Sequence, residues 1–476
     1  MDNSIIKILK MKYTLLVICI FAVFVLLIIS FIHLNSNSLG TGEQLYHLRM
    51  ASEIANSKKI PSVDSQTIEN RMYMMSPYHI VLALFILLFG DELSIIALPV
   101  ILGIIMLIVF ILTLKQMGID RERITTIVFL VILSPTFLTI FSTLNEPSLI
   151  LVLMFLAFYL LITFKSVILQ ILSFFIFTAT LFFDLFTAVI AIAFFMLGYS
   201  MEKAKKGVIR LWIIFFIVVV LIYYKSGQFY MLFAYAKEPY LGVLLSDIGS
   251  SMGLSIFFLV LSLVGLGVFW KRKGELWLIY LIVLLVGIGF LLFKNPAMPY
   301  ALFFLGIFAG FGSYRILVSQ WKLKMLKDLT LLLILCGLFF STLSYLNRIK
   351  ASDMDGTLLD SLKWIQKNGK EGSVLSYQGY GFAIEYISNM PAVTDDFSSE
   401  KFINLSNYLF MLRNLDRIRQ ISEEYNIRYI LITPEMKTGT VWSGKDEGIL
   451  FLLRNNDIFR KVYEKNGVEV WEFPQG

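Results

Sequence analysis

Cysteine is almost absent from this chain, with 2 residues in 476, and both Cys19 and Cys336 fall inside apolar runs. That excludes a disulfide framework and a cysteine-based zinc site. Charge is scarce too, at 16% of residues, and histidine occurs only 3 times. No phosphate-binding glycine loop, no HExxH pair and no nucleophile elbow is found, which removes the common soluble nucleotide, metalloprotease and hydrolase classes. The long apolar runs contain almost no central charge, so the sequence offers no proton relay or ion path of the kind a pump or transporter uses.

Hydrophobic residues are what is abundant. They make up 58% of the chain, with 42 Phe and 22 Tyr, and the mean hydropathy is +0.77. Several runs approach the ~20 apolar residues that span a bilayer, so the sequence predicts a polytopic α-helical membrane protein. Spans are expected near 13–34, 92–114, 125–142, 148–164, 166–182, 185–199, 211–225, 251–270, 276–293, 298–317 and 329–346, about eleven in all. The first is too long for a signal-peptide core and lacks a small-residue cleavage site after it.

The net charge of +7 does not require nucleic acid. Its lysines and arginines collect in short loops, around Arg121, Lys203, Lys271 and Lys322, as cytoplasmic loops do. This pattern predicts a cytoplasmic N-terminus and an extracytoplasmic C-terminal tail, with the cell membrane as the location. The short apolar run 77–90 would break the alternation if it crossed, and it is read as an interfacial helix within a first external loop, 35–91.

Composition changes at about Arg348. Residues 1–347 are therefore assigned to the membrane domain and 348–476 to a small α/β domain. In the latter, "TLLDSLKWIQKN" and "NLDRIRQISEEYN" read as helices, and "GSVLSY", "IRYILIT" and "VEVWEF" as strands.

On this topology the acids sort by side. Glu43 lies in the first external loop, Asn145 and Glu146 in the second, "STLNEPS", and Glu238 in a longer one, "YAKEPYLG". Carboxylates gathered at one face suit a hard divalent cation such as Mn²⁺ or Mg²⁺; singly, each is also an ordinary solvated helix end. His47 and His79 share the first loop without a metal-ligand spacing between them. Arg49 suits either a phosphate or a surface ion pair.

The stretch "GTGEQLYHLRMASEIANSKKIP" resembles the first external loop of the oligosaccharyltransferase catalytic subunit and, more widely, of GT-C membrane glycosyltransferases, with Glu43 where those enzymes typically have Asp. "SPYHIVLALFILLFGDELSIIALPVILGIIMLIVFIL" is similar to the interfacial helix and second span of that family. "LSPTFLTIFSTLNEPSLILVLMFLAFYLLI" is similar to the segment carrying its second-loop metal ligands. The tail segment "LDSLKWIQKNGKEGSVLSYQGYGFAIEYISNMPAVTDD" resembles the region of the WWDYG motif, but reads Tyr377, Gln378, Gly379, Tyr380, Gly381, so both indoles and the carboxylate are gone.

The resemblance implies a GT-C fold and transfer of a sugar or oligosaccharide from a polyprenyl-(di)phosphate donor in the lipid to a protein asparagine or a surface glycan at the outer face. It assigns Glu43 and Glu146 as catalytic and metal-ligating, with Asn145 a further metal ligand. Arg49, His47 and His79 fall on the donor-phosphate side, and Glu238, Tyr377, Tyr380 and Gly381 on the acceptor side. The altered motif leaves room for a non-catalytic relative serving as a binding or regulatory module, and a transporter is the third reading.

Overall fold

The computed structural model describes residues 19–29, 42–73, 76–163, 166–180, 185–200, 253–269, 298–351, 356–444, 446–455 and 458–473, together with a few isolated positions. The spans expected at 211–225 and 276–293 lie wholly or largely outside the described residues, as does Glu238. In chain order the helices begin with α1 (Cys19–Ile29), α2 (Gly42–Ser57), α3 (Pro77–Phe89), α4 (Asp91–Gln116), α5 (Arg121–Ile132), α6 (Pro135–Ser142) and α7 (Glu146–Thr163). They continue with α8 (Val167–Thr180), α9 (Leu185–Ser200), α10 (Ile256–Phe269), α11 (Met298–Val318) and α12 (Lys324–Ala351).

Two compact units are present. One comprises 1–32, 76–78 and 95–351; the other joins 33–75 and 79–94 to 352–476. The first-loop segments, placed with the membrane domain from sequence, thus cluster with the tail.

In the first unit, four described helices are long and apolar enough to cross a membrane: α4, α7, α11, and α12 over Lys324–Tyr345. The expected span 125–142 is a bent pair, α5 and α6, meeting at 69° and apolar enough together for one broken span or a re-entrant loop. Pro135 explains the break. Ser134 before it is extended (φ −75°, ψ 130°), as a residue preceding proline prefers. Helices α10 and α11 pack backbone to backbone at Gly265 and Gly312, where an added Cβ on either would overlap the facing main chain. Gly310 likewise meets Ile127 of α5. Such small-residue seams substitute for the hydrophobic drive that lipid removes.

The second unit is built on a sheet of β1 (Ser373–Leu375), β2 (Ile427–Ile432), β3 (Arg460–Lys465) and β4 (Val468–Glu472) in the order β1-β2-β4-β3. β1 and β2 run parallel, while β4 is antiparallel to both β2 and β3. The tail helices are α13 (Gly356–Asn368), α14 (Glu400–Met411), α15 (Leu415–Glu424) and α16 (Gly448–Asn455). Alternation along the strands makes two cores. Val374, Tyr429, Leu431, Val468 and Val470 face one, with α13 and Leu45, Tyr46 and Met50 of α2. Leu375, Ile430, Ile432 and Trp471 face the other, with α14, α15 and the buried Trp442. A first-loop helix therefore completes the tail's core, which is what positions the site.

Candidate functional site

Helix α2 opens with Gly42, where an added Cβ would lie 3.1 Å from Phe382 Cδ2 and 3.5 Å from Asp396 Oδ2. Glu43 follows in the first turn, where a negative charge meets the positive end of the helix dipole. Its side chain and that of Asp396 both reach solvent. The surrounding protein nevertheless raises the Glu43 carboxyl above its ordinary value, burial contributing most and the Asp396 charge next. Asp396 is raised by burial and by Asp395. Among the described residues, neither carboxylate has a hydrogen-bonding or ion-pairing partner.

One turn on, His47 shares the Glu43 face of the helix. Its Nδ1 is 2.8 Å from His79 Nε2, and His79 Nδ1 is 2.6 Å from the Tyr73 hydroxyl. Both rings are buried. Burial pushes His47 down to about 4, and burial together with the His47 and Arg49 charges holds His79 well below the usual imidazole range. They are neutral at pH 7, each with one proton to donate. The pair is joined across 32 residues, which no local spacing reveals.

Arg49 is buried, 6% exposed, and stands at no surface. It donates to both Asp64 oxygens at 2.7 and 2.8 Å and lies 3.1 Å from Glu385 Oε2. Arg71 bridges Asp64 at 3.0 Å and Asp395 at 2.7 Å. Its guanidinium also lies over Tyr46, Phe382 and Phe397, 5.6 to 5.9 Å from the ring centroids, a favourable cation–π setting. Two arginines thus face three buried carboxylates. The excess negative charge is relieved at Glu385, whose carboxyl burial raises well above its usual range, with the Asp395 and Asp64 charges adding and the arginines opposing. Asp64, by contrast, is held low by Arg49 and Arg71 against the effect of its burial.

The altered motif sits beside this network. Gln378–Tyr380 form a tight turn, and the Tyr380 hydroxyl is 3.2 Å from Thr433 Oγ1. Tyr377 and Tyr380 pack edge to face with ring centroids 5.9 Å apart. Gly381 is required by approach: an added Cβ would overlap the Thr394 carbonyl oxygen and stand 2.5 Å from Asp395 Cβ.

In the membrane unit, Asn145 is occupied as a helix cap. Its Oδ1 accepts from Ser148 N at 3.0 Å, and its Nδ2 donates to the Ile140 and Thr143 carbonyls, each at 2.9 Å. Glu146 is the first residue of α7. The second unit therefore assembles Glu43, His47, Arg49, His79, Tyr377, Tyr380 and Gly381, and adds Asp64, Arg71, Tyr73, Glu385, Asp395 and Asp396, which sequence reasoning missed. Only the "TDD" doublet at the end of the tail segment was a visible signal.

No protein-family profile and no curated protein matches this sequence. Solved structures do. The archaeal oligosaccharyltransferase AglB of Archaeoglobus fulgidus, in complex with an inhibitory peptide and a dolichol-phosphate, aligns over 98% of this chain and 74% of its own, with a TM-score of 0.60 at 14% identity. An oligosaccharyltransferase of Archaeoglobus fulgidus in complex with zinc and sulfate aligns over 94% and 72%, TM-score 0.57, 15% identity. ArnT of Cupriavidus metallidurans, bound to undecaprenyl phosphate, aligns over 95% and 97%, TM-score 0.58, 11% identity. With apolar helices, a small sheet unit and these neighbours, the chain has the fold of the GT-C membrane glycosyltransferases.

Proposed function

We propose that this chain is a GT-C glycosyltransferase of the cell membrane, moving a sugar or oligosaccharide from a polyprenyl-(di)phosphate donor to an external asparagine or glycan acceptor. The observation that carries this reading is Glu43: a solvent-reaching carboxylate without an ion-pairing partner among the described residues, on a helix locked into the tail domain, in a GT-C fold. Lipid-phosphate donors fit such a protein because the tail needs a bilayer and the head needs a polar site. The two fold neighbours that hold dolichol-phosphate and undecaprenyl phosphate support the donor class.

Glu43 orients the acceptor and receives its proton as the acceptor atom bonds to the sugar C1. The C1–O bond breaks with its electron pair passing to the phosphate. His79 is engaged at both ring nitrogens, by His47 and by Tyr73, and so serves the donor-phosphate side by orienting His47, whose Nε2–H donates to a phosphate oxygen in the tautomer where Tyr73 donates to His79 Nδ1 and His79 Nε2–H donates to His47 Nδ1. Arg49, buried and bonded through both terminal nitrogens to Asp64, holds α2 in place rather than meeting a phosphate. Tyr377, Tyr380 and Gly381 stand on the acceptor side, where loss of both indoles favours an acceptor other than a sequon. The Glu43 carboxyl, raised by burial and next by the Asp396 charge, offers a hard oxygen that suits a divalent cation, and the resemblance adds Glu146 as a ligand. When bound, Mn²⁺ or Mg²⁺ supplies Lewis-acid neutralisation of the leaving phosphate.

The test is transfer of labelled sugar from polyprenyl-linked donor pools in membranes carrying the wild-type chain, Glu43→Gln or Glu146→Gln. Mn²⁺-dependent transfer lost in Glu43→Gln supports the reading. Absence of transfer by folded wild-type protein across several donor pools replaces it with the non-catalytic one.

A further inference from the structure

A cavity of about 680 Å³ opens in the second unit and shares no lining residue with the site around α2. Its walls come from four stretches of chain: the loop after α2 (65–70), the turn from α13 into β1 (366–373), the turn at 388–391, and the turn from α15 into β2 (424–426). Backbone bonds pin these stretches to one another. Ala392 bridges both Thr67 and Val374, Val374 N donates to the Pro391 carbonyl at 2.9 Å, and Ser373 N donates to the Asn426 carbonyl at 2.8 Å. The volume is that of a pocket for a small ligand, and its walls are preorganised.

The lining decides the ligand class. Its charged side chains are two acids, Glu371 and Glu424, and among the described residues no lysine or arginine lines it. A phosphate or carboxylate there would meet like charge without a counter-ion. What the walls gather instead is amides: Asn70, Gln366, Asn389 and Asn426. An amide carries one acceptor and two donors, which matches a ligand whose hydroxyls both donate and accept. Gln366 and Asn389 are exposed, and among the described residues neither side chain has a hydrogen-bond partner. The Tyr425 ring and Met390 add apolar wall for the C–H face of a sugar ring. Five non-glycine residues have positive φ among those described, and Asn70, Asn389 and Asn426, at 48°, 55° and 50°, all stand at this cavity. Glycine takes that conformation at less cost, and a helix end alone asks for no more. Asparagine meets the same backbone need and leaves an amide at the rim.

We propose that this cavity binds a neutral saccharide and is the subsite that holds the body of a glycan acceptor. The assignment rests on the glycosyltransferase reading for its purpose, and it narrows the acceptor to a glycan. One stretch of chain joins the cavity to α2: Pro391 lines the wall, and the Phe397 ring packs on Tyr46 of α2 at 5.0 Å. Six residues of chain span no more than about 22 Å. Several linked sugars seated at Gln366 and Asn389 therefore extend toward the helix that opens at Glu43.

The experiment is saturation-transfer NMR on the purified full chain in detergent, with thermal unfolding measured in parallel. The probes are neutral trisaccharides of glucose, mannose and N-acetylglucosamine, with a sialylated trisaccharide and a lysine-rich peptide beside them. Wild type is expected to give a signal with at least one neutral trisaccharide and a weaker one, or none, with the acidic sugar and the peptide. Asn389→Gly keeps the backbone conformation and removes the amide, so it and Gln366→Ala should melt as wild type does while the saccharide signal falls at least fivefold. No signal from wild type with any neutral trisaccharide, an undiminished signal in both variants, or a stronger signal with the acidic sugar or the peptide would each overturn the proposal. Sugar transfer by a preparation that binds no saccharide would leave the glycosyltransferase reading standing and remove only this subsite. Saccharide binding without transfer would do the reverse, so the two failures are separable.

Discussion

Arg71 and Asp395 are joined across 324 residues of chain, with each guanidinium nitrogen 2.7 Å from a different carboxylate oxygen. This bidentate pair ties the segment after α2 to the turn that carries Asp396. Removing one partner of a buried pair strands the other's charge, at a cost of about 3–5 kcal/mol. Here two carboxylates, Asp64 and Asp395, lose their shared cation. Arg71→Ala should therefore lower the melting temperature sharply and expose residues 62–73 to limited proteolysis. Arg71→Lys should recover part of the stability, since a single ammonium cannot reproduce the fork. Unchanged melting and proteolysis in Arg71→Ala would remove the network from the account of how the loop is held.

Glu385 makes the opposite prediction. Its folded-state carboxyl is raised, so its contribution to stability is complete below the unfolded value near 4.5 and is lost as pH climbs through the folded one. The groups facing it are Arg49, Arg71, Asp64 and Asp395. A neutral amide has the shape of the protonated acid and no such loss. Glu385→Gln should thus melt higher than wild type at pH 8, with the gain shrinking toward pH 5. A large destabilisation at pH 8 would show instead that Glu385 is an ionised partner of Arg49.

The membrane fold and the tail's principal elements were legible because period and composition carry them. The alternation in "IRYILIT" puts Tyr429 and Leu431 in one core and Ile430 and Ile432 in the other. β3 escaped because "RKVYEK" is a charged edge strand, although Asn466-Gly467, both with positive φ, gave a hairpin-turn signal. The break in 125–142 was written in Ser134-Pro135. The site was only half legible. Glu43, His47 and Arg49 lie in one resembling stretch and His79 in the next, whereas Glu385, Asp395 and Asp396 belong to sequence-distant segments of the tail that folding brings into the same unit, which no local pattern encodes.

The histidine pair gives the protein an acid-sensitive element. His47 is pushed down to about 4 from an ordinary 6.5, so the unfolded chain binds this proton more readily than the folded one. Stability from this group is complete above about 6.5 and is lost as pH falls toward about 4. The interval corresponds to on the order of 3 kcal/mol, with His79 shifted the same way. Denaturant titrations at pH 7.5, 6 and 5 should show a steep acid decline in wild type and a shallower one in His47→Gln. Equal slopes would mean that the buried pair is solvated or already charged in the folded state.

Gly381 tests why the altered motif keeps its last residue. Tyr380 can be explained by its contact with Thr433, but Gly381 makes no side-chain contact and is fixed only by the nearness of the 394–395 main chain. A methyl group there meets backbone, which cannot swing aside as a flexible side chain would. Gly381→Ala should cost about 1–3 kcal/mol, as overpacking typically does, and should displace the turn that presents Asp396. At Gly379 the nearest atom to an added Cβ is a Tyr377 ring carbon at 3.0 Å, and that ring can shift. Gly379→Ala should therefore be the milder change in melting temperature, and Gly381→Ala the larger one. If the two variants behave alike, the close approach at Gly381 does not matter to stability and the turn at Asp395 is held by Arg71 alone.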